Sequence, residues 1–192
     1  LDKDGFAVLN YENQHVRKMG DHCQGKVFFY GYDKNRVQIW ANRIKLTRSG
    51  LEFNLHYKDQ MVKVRTSLIG TAFVENCLAA AAVGILSGVD FSLIAKGLEK
   101  IKPMEGRMSI ETGPRGSILL NDSRRANPAS AIAGLQALKD YPAKRKIAVI
   151  GEMGELGDWE EKGHRQVGVE VGVVKPDYLV AVGPLTKFIA QE

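Results

Sequence analysis

The sequence predicts an α/β protein made of two parts, on three observations. Residues 6–68 are rich in β-branched and aromatic strand signals, whereas residues 107–192 alternate strand and helix patterns. Between them, the segment Lys102–Gly106 combines a proline with a glycine, which indicates a linker. We therefore expect one domain at 1–102 and a second, parallel α/β domain at 107–192.

The first part combines strands with helices. Residues 51–55 and 62–65 alternate apolar and polar side chains, as half-buried antiparallel strands do. Helices are predicted at 71–87, with Thr71 as the N-cap, and at 90–101. The predicted strands are 7–9, 27–30, 37–46, 51–57 and 61–68, and a short helix is predicted at 12–19.

The second part has the order β-α-β-α-β, which implies a parallel sheet with right-handed crossovers. Its predicted strands are 117–120, 146–150 and 178–182, and its predicted helices are 129–141 and 160–174. Polar turns follow the first two strands, at Asn121–Pro128 and Gly151–Gly157. Because the carboxyl ends of parallel strands face one crevice, we expect a nucleotide or substrate site there.

Composition and charge narrow the class of protein without choosing a function. The 192 residues, 44% hydrophobic and 26% charged, are typical of a globular protein, and no run of 18 apolar residues predicts a membrane span. Only Cys23 and Cys77 are present, which argues against a disulfide framework or a zinc site and favours the cytoplasm. The net charge of +5 is scattered, and Arg43, Lys45 and Arg48 alternate along one predicted strand, so we expect no nucleic-acid partner.

The polar residues of the two turns have structural as well as functional interpretations. Asp122 stands at a strand-to-helix turn, where such a residue is often only an N-cap. Asn127 precedes a proline and equally fits a helix start. Glu152 and Glu155 face the expected crevice, where they are candidates to contact an incoming amine or to stabilise their own loop.

Four further polar residues have ordinary structural interpretations when each is considered without reference to a protein family. Glu160 and His164 stand four residues apart on one predicted helix, where a two-ligand metal pair is the alternative to an ordinary surface pair. We expect no metal site there. Arg107 is by itself an ordinary linker arginine, and Asn76 an exposed polar residue of a helix.

Five stretches match the motifs of one enzyme family, in the same order along the chain. They are Val8-Leu9-Asn10, Gly70–Ala82, Gly106-Arg107, Asn121-Asp122-Ser123 with Asn127-Pro128, and Gly151–Gly157 with His164 and Val167-Gly168. On these residues the chain resembles the Mur ligases, the ATP-dependent amide ligases of peptidoglycan synthesis. The resemblance implies that 1–102 is the end of the central ATP-binding domain and 107–192 the start of the Rossmann-like C-terminal domain. Residues 151–168 most resemble the branch that adds D-alanyl-D-alanine.

The resemblance implies a two-step reaction for the full-length enzyme, which we expect to be a monomer. ATP, with Mg²⁺ held mostly by groups outside this chain, phosphorylates the carboxylate of a UDP-muramoyl peptide, and the amine of D-Ala-D-Ala then attacks the acyl phosphate. By the same resemblance, Asn76 binds the adenine edge, Arg107 reaches the ATP phosphates, and Asp122 accepts from the ribose hydroxyls. The candidate substrate-binding residues are Arg124, Arg125, Asn127 and Glu152.

Three departures from the family pattern leave alternatives open. The chain has no G-x-x-x-x-G-K-[ST] phosphate loop, so we expect a piece of a longer ligase or a truncated product, with no complete catalytic set, inactive alone and poorly soluble. Ala72-Phe73 stand where the family usually has His-Asn. Arg124-Arg125 stand where the D-Ala-D-Ala ligases usually have Tyr-Asn, and two arginines suit the carboxylate of an acceptor. A related ligase for D-glutamate or polyglutamate, and a non-catalytic nucleotide-binding or interaction module, are therefore the alternatives.

Overall fold

A computed structural model describes all 192 residues. The chain divides into two compact units, Leu1–Lys102 and Pro103–Glu192, and each is described by itself. None of the helices combines the length and the apolar character that crossing a bilayer requires.

The first unit contains one five-stranded sheet, whose strands neighbour one another in chain order. The strands are β1 (Phe6–Asn10), β2 (Lys26–Gly31), β3 (Ile39–Thr47), β4 (Gly50–Tyr57) and β5 (Gln60–Thr66). β1, β2 and the start of β3 run parallel, whereas β3, β4 and β5 form an antiparallel meander. The antiparallel pairing predicted from the period-2 pattern is confirmed, since Phe53 pairs with Val64.

The helices of this unit are α1 (Gln14–Met19), α2 (Phe73–Leu86) and α3 (Phe91–Glu99). α2 and α3 supply buried side chains to the core that the sheet forms, including Val74 and Leu78 of α2. On β4, Leu51, Phe53 and Leu55 are at most 1% exposed, because alternate residues of a strand face the same side. Burying each such side chain stabilises the fold by about 1.5–3 kcal/mol.

Two local predictions for this unit were wrong. Thr71 does not cap α2: Ala72 occupies the N-cap position and offers no side-chain acceptor. Arg48 lies in the turn after β3 rather than on the strand, and a bulge between Asn42 and Lys45 interrupts the alternation that the basic residues were expected to follow. Arg43 lies at this bulge with a φ of 51°.

The second unit contains four strands and three α-helices. They are β6 (Ser109–Thr112), β7 (Ile118–Asn121), α4 (Pro128–Asp140), β8 (Ile147–Gly151), α5 (Glu160–Val174), β9 (Tyr178–Val182) and α6 (Lys187–Ala190). The predicted bounds of α5 and β9 are confirmed to the residue. β8 and β9 are parallel neighbours joined through α5, which is the predicted crossover.

β7 does not join this parallel pair, which corrects the prediction of three parallel strands in succession. It pairs antiparallel with β6, so that Ile110 faces Leu120 across the hairpin. The sequence prediction missed β6 because Ile110 is its one apolar residue, whereas the equally short β7 has three in succession. The two strands can pair directly because the short turn at Pro114–Gly116 reverses the chain, whereas a parallel pair requires a long crossover.

Two glycines set the distance between α5 and its neighbours. A Cβ atom on Gly163 would lie 2.9 Å from Cγ of Pro128, at the start of α4. A Cβ atom on Gly168 would lie 2.6 Å from the carbonyl oxygen of Ile189 in α6. Both contacts are closer than a side chain allows, so α5 packs against α4 and α6 through glycine surfaces. Met153, Val167 and Ile189 form the centre of the resulting core, each at most 1% exposed.

Candidate functional site

The polar residues of the second unit gather in the loops that follow its strands. We name them the β7 loop (122–127), the β8 loop (152–157) and the β9 loop (183–186). The guanidinium Nη2 of Arg125 lies 2.6 Å from the carboxylate Oε2 of Glu155, so the β7 and β8 loops meet. Although β7 and β8 are not in one parallel sheet, their carboxyl ends therefore open at a common edge.

Asp122, the first residue of the β7 loop, is half-buried. Its Oδ1 accepts a hydrogen bond of 3.1 Å from the backbone N–H of Met108. Burial raises the pKa of this carboxyl, and the Met108 N–H and the charge of Arg107 oppose that rise. Asp122 does not cap α4, so the N-cap alternative was wrong. Its second oxygen, Oδ2, lies beside Gly134, which has no side chain to cover it.

Arg107 stands between two residues in the left-handed region, Gly106 with a φ of 70° and Met108 with a φ of 53°. Non-glycine residues adopt this conformation at a cost of about 1–3 kcal/mol, and such strain clusters at functional sites. The Nη1 of Arg107 donates to the carbonyl oxygen of Arg125 at 3.3 Å. This contact places the guanidinium beside the β7 loop and leaves its other N–H groups for a ligand.

Arg124 and Arg125 point to different partners. The backbone N–H of Arg124 donates to the carbonyl oxygen of Gly106, and its Nη1 lies 3.0 Å from the sulfur of Met104. Arg125 holds the ion pair with Glu155, in which both side chains are largely exposed. The guanidinium of Arg124 therefore has no carboxylate partner in the structure, in contrast to that of Arg125.

Asn127 begins α4, as its alternative interpretation predicted. Its Oδ1 accepts from the backbone N–H of Ser130 at 2.9 Å, and the hydroxyl of Ser130 accepts from the N–H of Asn127 at 3.0 Å. This reciprocal pair is a capping box, and Pro128 occupies the first helical turn. The side chain of Asn127 thus has a structural role as the cap of α4, and a substrate would have to bind it in addition to this role.

Glu152 extends from the β8 loop to the β9 loop. Its Oε2 accepts from the backbone N–H of Leu185 at 3.3 Å. A Cβ atom on Gly183 would lie 2.7 Å from the same oxygen, and Gly183 has a φ of 104°, so a side chain there would displace the carboxylate. The contact supports the loop-stabilising interpretation of Glu152.

His164 on α5 is fully buried, and both of its ring nitrogens are engaged. Nε2 accepts from the backbone N–H of Met153 at 3.0 Å, and Nδ1 lies 2.6 Å from the carbonyl oxygen of Glu160. The alternative that Glu160 and His164 bind a metal as a pair is therefore wrong, because neither ring nitrogen has a lone pair free to coordinate. No group of three or more His, Cys, Asp or Glu side chains is arranged to hold a metal ion.

Asn76 lies in the first unit, on the exposed side of α2. The preceding Glu75 accepts a hydrogen bond of 2.7 Å from the amide of Asn10, which ties the start of α2 to the end of β1. Burial, and then the charge of Glu75, raise the pKa values of Tyr30 and Tyr32 at the end of β2. Asn76 is thus an exposed amide beside a polar cluster at the carboxyl ends of two parallel strands.

Two family models match nearly the whole chain. The Mur ligase middle domain matches residues 1–84, and the Mur ligase glutamate ligase domain matches residues 106–192. The chain belongs to the Mur ligase family. The α/β fold expected from the sequence is confirmed by these matches.

Two curated relatives of this Mur ligase chain carry the same name. The UDP-N-acetylmuramoyl-tripeptide–D-alanyl-D-alanine ligases of Escherichia coli and Mycobacterium tuberculosis are 31% and 32% identical to it, over 95% and 93% of its length. A crystal structure of MurF from Acinetobacter baumannii superposes over 100% of the chain with a TM-score of 0.91 and 26% identity. The Mur ligase chain spans 40% of the Escherichia coli protein and 41% of the Acinetobacter baumannii chain.

A further solved structure shares the fold. The MurF ligase of Thermotoga maritima, solved in complex with ADP, superposes with a TM-score of 0.82 and 21% identity, over 98% of this chain and 43% of that one. At this identity the likeness concerns the fold alone.

The structure brings some of the predicted site residues of this Mur ligase chain together. Arg107, Asp122 and Arg125 lie around the β7 loop and are joined by hydrogen bonds through neighbouring backbone groups. Asn76 belongs to the other unit. The importance of His164 for the β8 loop was missed, because its partner Met153 is an apolar residue whose backbone N–H leaves no trace in a sequence pattern.

Proposed function

We propose that this chain is part of an ATP-dependent amide ligase of peptidoglycan precursor synthesis. The full-length protein adds D-Ala-D-Ala to a UDP-muramoyl peptide through an acyl phosphate. The observation that carries the proposal is the match of 95% of the chain, at 31% identity, to a ligase named for this reaction. The two free cysteines suit a reducing compartment, and the cytoplasm is the proposed location.

The nucleotide side of the site is proposed to rest on Asp122 and Arg107. Asp122 keeps one carboxylate oxygen for ribose hydroxyls while the other is bound by Met108. Because burial opposes its charge, a hydroxyl donor is a favourable partner for this carboxylate. Arg107 supplies a planar guanidinium, whose paired N–H groups suit phosphate oxygens. Asn76 is the proposed contact of the adenine edge, since its amide is exposed and offers both a donor and an acceptor.

The residues fit ATP better than they fit a metal ion. The carboxylates of the β8 loop point to Arg125 and to Leu185, so neither is left to bind Mg²⁺ alone. When bound, Mg²⁺ neutralises phosphate charge, and we propose that its protein ligands lie mostly outside this chain. The contribution of this chain is to position the nucleotide and the acceptor.

Binding of ATP to the purified chain tests the nucleotide site. Calorimetry in the presence of magnesium is expected to detect weak binding by the wild type. Asp122→Asn keeps an acceptor for the Met108 N–H and removes the carboxylate, so we expect it to lose binding as completely as Asp122→Ala. The control is Asp140→Asn, at the exposed end of α4. Equal binding by wild type and Asp122→Asn would contradict the assignment of Asp122 to the ribose. If the folded wild type does not bind ATP, the residues of this chain are not sufficient for a ribose site.

A related ligase with an acidic acceptor is the second candidate. Arg124 and Arg125 lie where the acceptor is expected, and D-glutamate, which carries one carboxylate more than D-Ala-D-Ala, would find the uncompensated charge of Arg124 there. Replacing the pair with Tyr and Asn in the longer protein tests this candidate. A switch of preference from D-glutamate to D-Ala-D-Ala supports it, whereas an unchanged preference for D-Ala-D-Ala favours the first proposal.

A further inference from the structure

Met153 is the one buried residue of the β8 loop, and Leu156 packs against the same core from a partly buried position. Met153 is 1% exposed and packs in the core of the second unit, whereas Gly154 has no atom near the position of a Cβ. Glu155 and Gly157 have positive φ values of 62° and 54°, so the backbone of the loop departs from regular structure. The direction of the loop therefore depends on the few contacts that hold its backbone.

Met153 is the anchor of the loop and determines where two carboxylates point. Glu152 lies immediately before Met153 and reaches the N–H of Leu185 in the β9 loop. Glu155 lies two residues after Met153 and reaches Arg125 in the β7 loop. A rotation of the backbone at Met153 would move both carboxylates away from their partners, since they leave the chain on either side of it.

His164 supplies the polar part of this anchor. An amide N–H can only donate, so Nε2 of His164 must be the acceptor in its contact with the Met153 N–H, 3.0 Å away. The ring proton then resides on Nδ1, which donates to the carbonyl oxygen of Glu160 at 2.6 Å. That carbonyl belongs to the first turn of α5, so the helix backbone fixes the plane of the ring.

We propose that His164 is the positioning residue of the β8 loop, acting as the neutral Nδ1–H tautomer between the Glu160 carbonyl and the Met153 N–H. Only this tautomer satisfies both backbone groups, because the Nε2–H tautomer and the doubly protonated ring would both direct an N–H at the N–H of Met153. In the ligase, this contact keeps Glu152 and Glu155 bridging the neighbouring loops at the proposed acceptor side. This last step rests on the proposed function, whereas the tautomer and the loop anchor do not.

Nitrogen NMR of the histidine rings tests the tautomer in the unaltered chain. At neutral pH, Nε2 of His164 is expected to show the shift of an unprotonated nitrogen and Nδ1 that of a protonated one. The exposed histidines His15 and His22 serve as internal references. A protonated Nε2 overturns the proposal without any question of misfolding.

Amide hydrogen exchange tests the anchor. His164→Ala is expected to increase the exchange rate of the Met153 amide more than tenfold, while amides near the C-terminus of α5 keep their protection. His164→Gln carries an amide oxygen that can replace Nε2 as acceptor, and we expect it to restore most of the protection of Met153. Gln166→Ala, an exposed change on the same helix, is the control.

Two results of this exchange experiment would overturn the proposal. One is unchanged protection of Met153 in His164→Ala. The other is a loss of protection that spreads evenly over α5 and is not rescued by His164→Gln, since that pattern describes a general packing role. Neither the NMR nor the exchange measurement uses ATP or acceptor. A negative result in either would therefore contradict the role of His164 and would not bear on the proposed ligase activity.

Discussion

Nη2 of Arg125 and Oε2 of Glu155 lie 2.6 Å apart and join two loops whose strands belong to different hydrogen-bonded sheets. The side chains are 72% and 81% exposed, so water screens the pair and its contribution to stability is small. The pair matters instead for the availability of Arg125 to a ligand. While the pair is formed, Arg125 already has a carboxylate partner, and an acceptor carboxylate must compete with Glu155 for it.

Glu155→Gln is predicted to favour acceptors that carry a carboxylate. Removing an exposed competitor of this kind is expected to lower the KM for such an acceptor by a factor of about 1.4 to 5 in the longer protein, corresponding to the roughly 0.2–1 kcal/mol typical of exposed pairs. Steady-state kinetics with the acceptor varied measures the effect. Glu161→Gln, which disrupts the pair with Arg165 on α5, is the control and should leave this KM unchanged. A KM that rises in Glu155→Gln contradicts the competition.

Asp122 is predicted to destabilise the folded chain at neutral pH. Burial raises the pKa of its carboxyl above the ordinary value of 3.8, so the folded state holds the proton more tightly than the unfolded state. Stability then falls as pH rises from the ordinary value through the raised one. We expect Asp122→Asn to be more stable than wild type at pH 7, and the difference to disappear below pH 3.8. Urea unfolding of both proteins across this range measures the difference, and a pH-independent gap would contradict the prediction.

Gly168 and Gly172 on α5 are predicted to respond oppositely to alanine. A Cβ on Gly168 would collide with the Ile189 carbonyl, so Gly168→Ala should destabilise the second unit by about 1–3 kcal/mol. Gly172 has no atom within 4 Å of that position, and Gly172→Ala should stabilise the helix by about 0.5–1 kcal/mol. The two changes alter helix propensity alike, so the difference isolates the contact with α6. Equal midpoints in urea denaturation would show that the contact can relax freely.

One face of the β8–β9 sheet is predicted to cause self-association. Its exposed apolar side chains are Ile147, Val149, Tyr178, Val180 and Val182, with exposed fractions from 46% to 66%. Parallel sheets are ordinarily covered on both faces, and an exposed apolar patch favours association. We expect a concentration-dependent increase in sedimentation coefficient that Val149→Thr with Val180→Thr reduces. Val169→Thr, at an exposed position of α5, should not reduce it, and a monodisperse wild type at high concentration would contradict the prediction.

Local periodicity was sufficient for most of the elements. α5 follows from its helical spacing and from the turns that flank it, and the β4–β5 pairing follows from strict alternation in both strands. β6 was not predicted because it contains a single apolar residue, Ile110, whereas β7 has the same length and an apolar run. The N-cap of α2 was predicted wrongly because Thr71 is a preferred capping residue type, whereas α2 begins at Phe73 and the N-cap position falls on Ala72, which has no side-chain acceptor.

The candidate site was predictable only in part. Asp122 and Arg125 could be placed at a strand end from sequence order, but the partner of Asp122, the N–H of Met108, depends on a left-handed backbone that no residue type signals there. His164 was visible only as one of a helical pair with Glu160. Its actual partners are backbone groups, and backbone groups are the same at every position of a sequence.

Positions 152 and 183 constrain each other, because the carboxylate of Glu152 fills the space that a side chain at Gly183 would need. A chimera that received its β9 loop from a relative with a larger residue at 183 would expel this carboxylate, even though the donor loop folds correctly in its own protein. Exchanging the β8 and β9 loops together avoids this conflict. In grafting experiments the β8 and β9 loops therefore have to be transferred together.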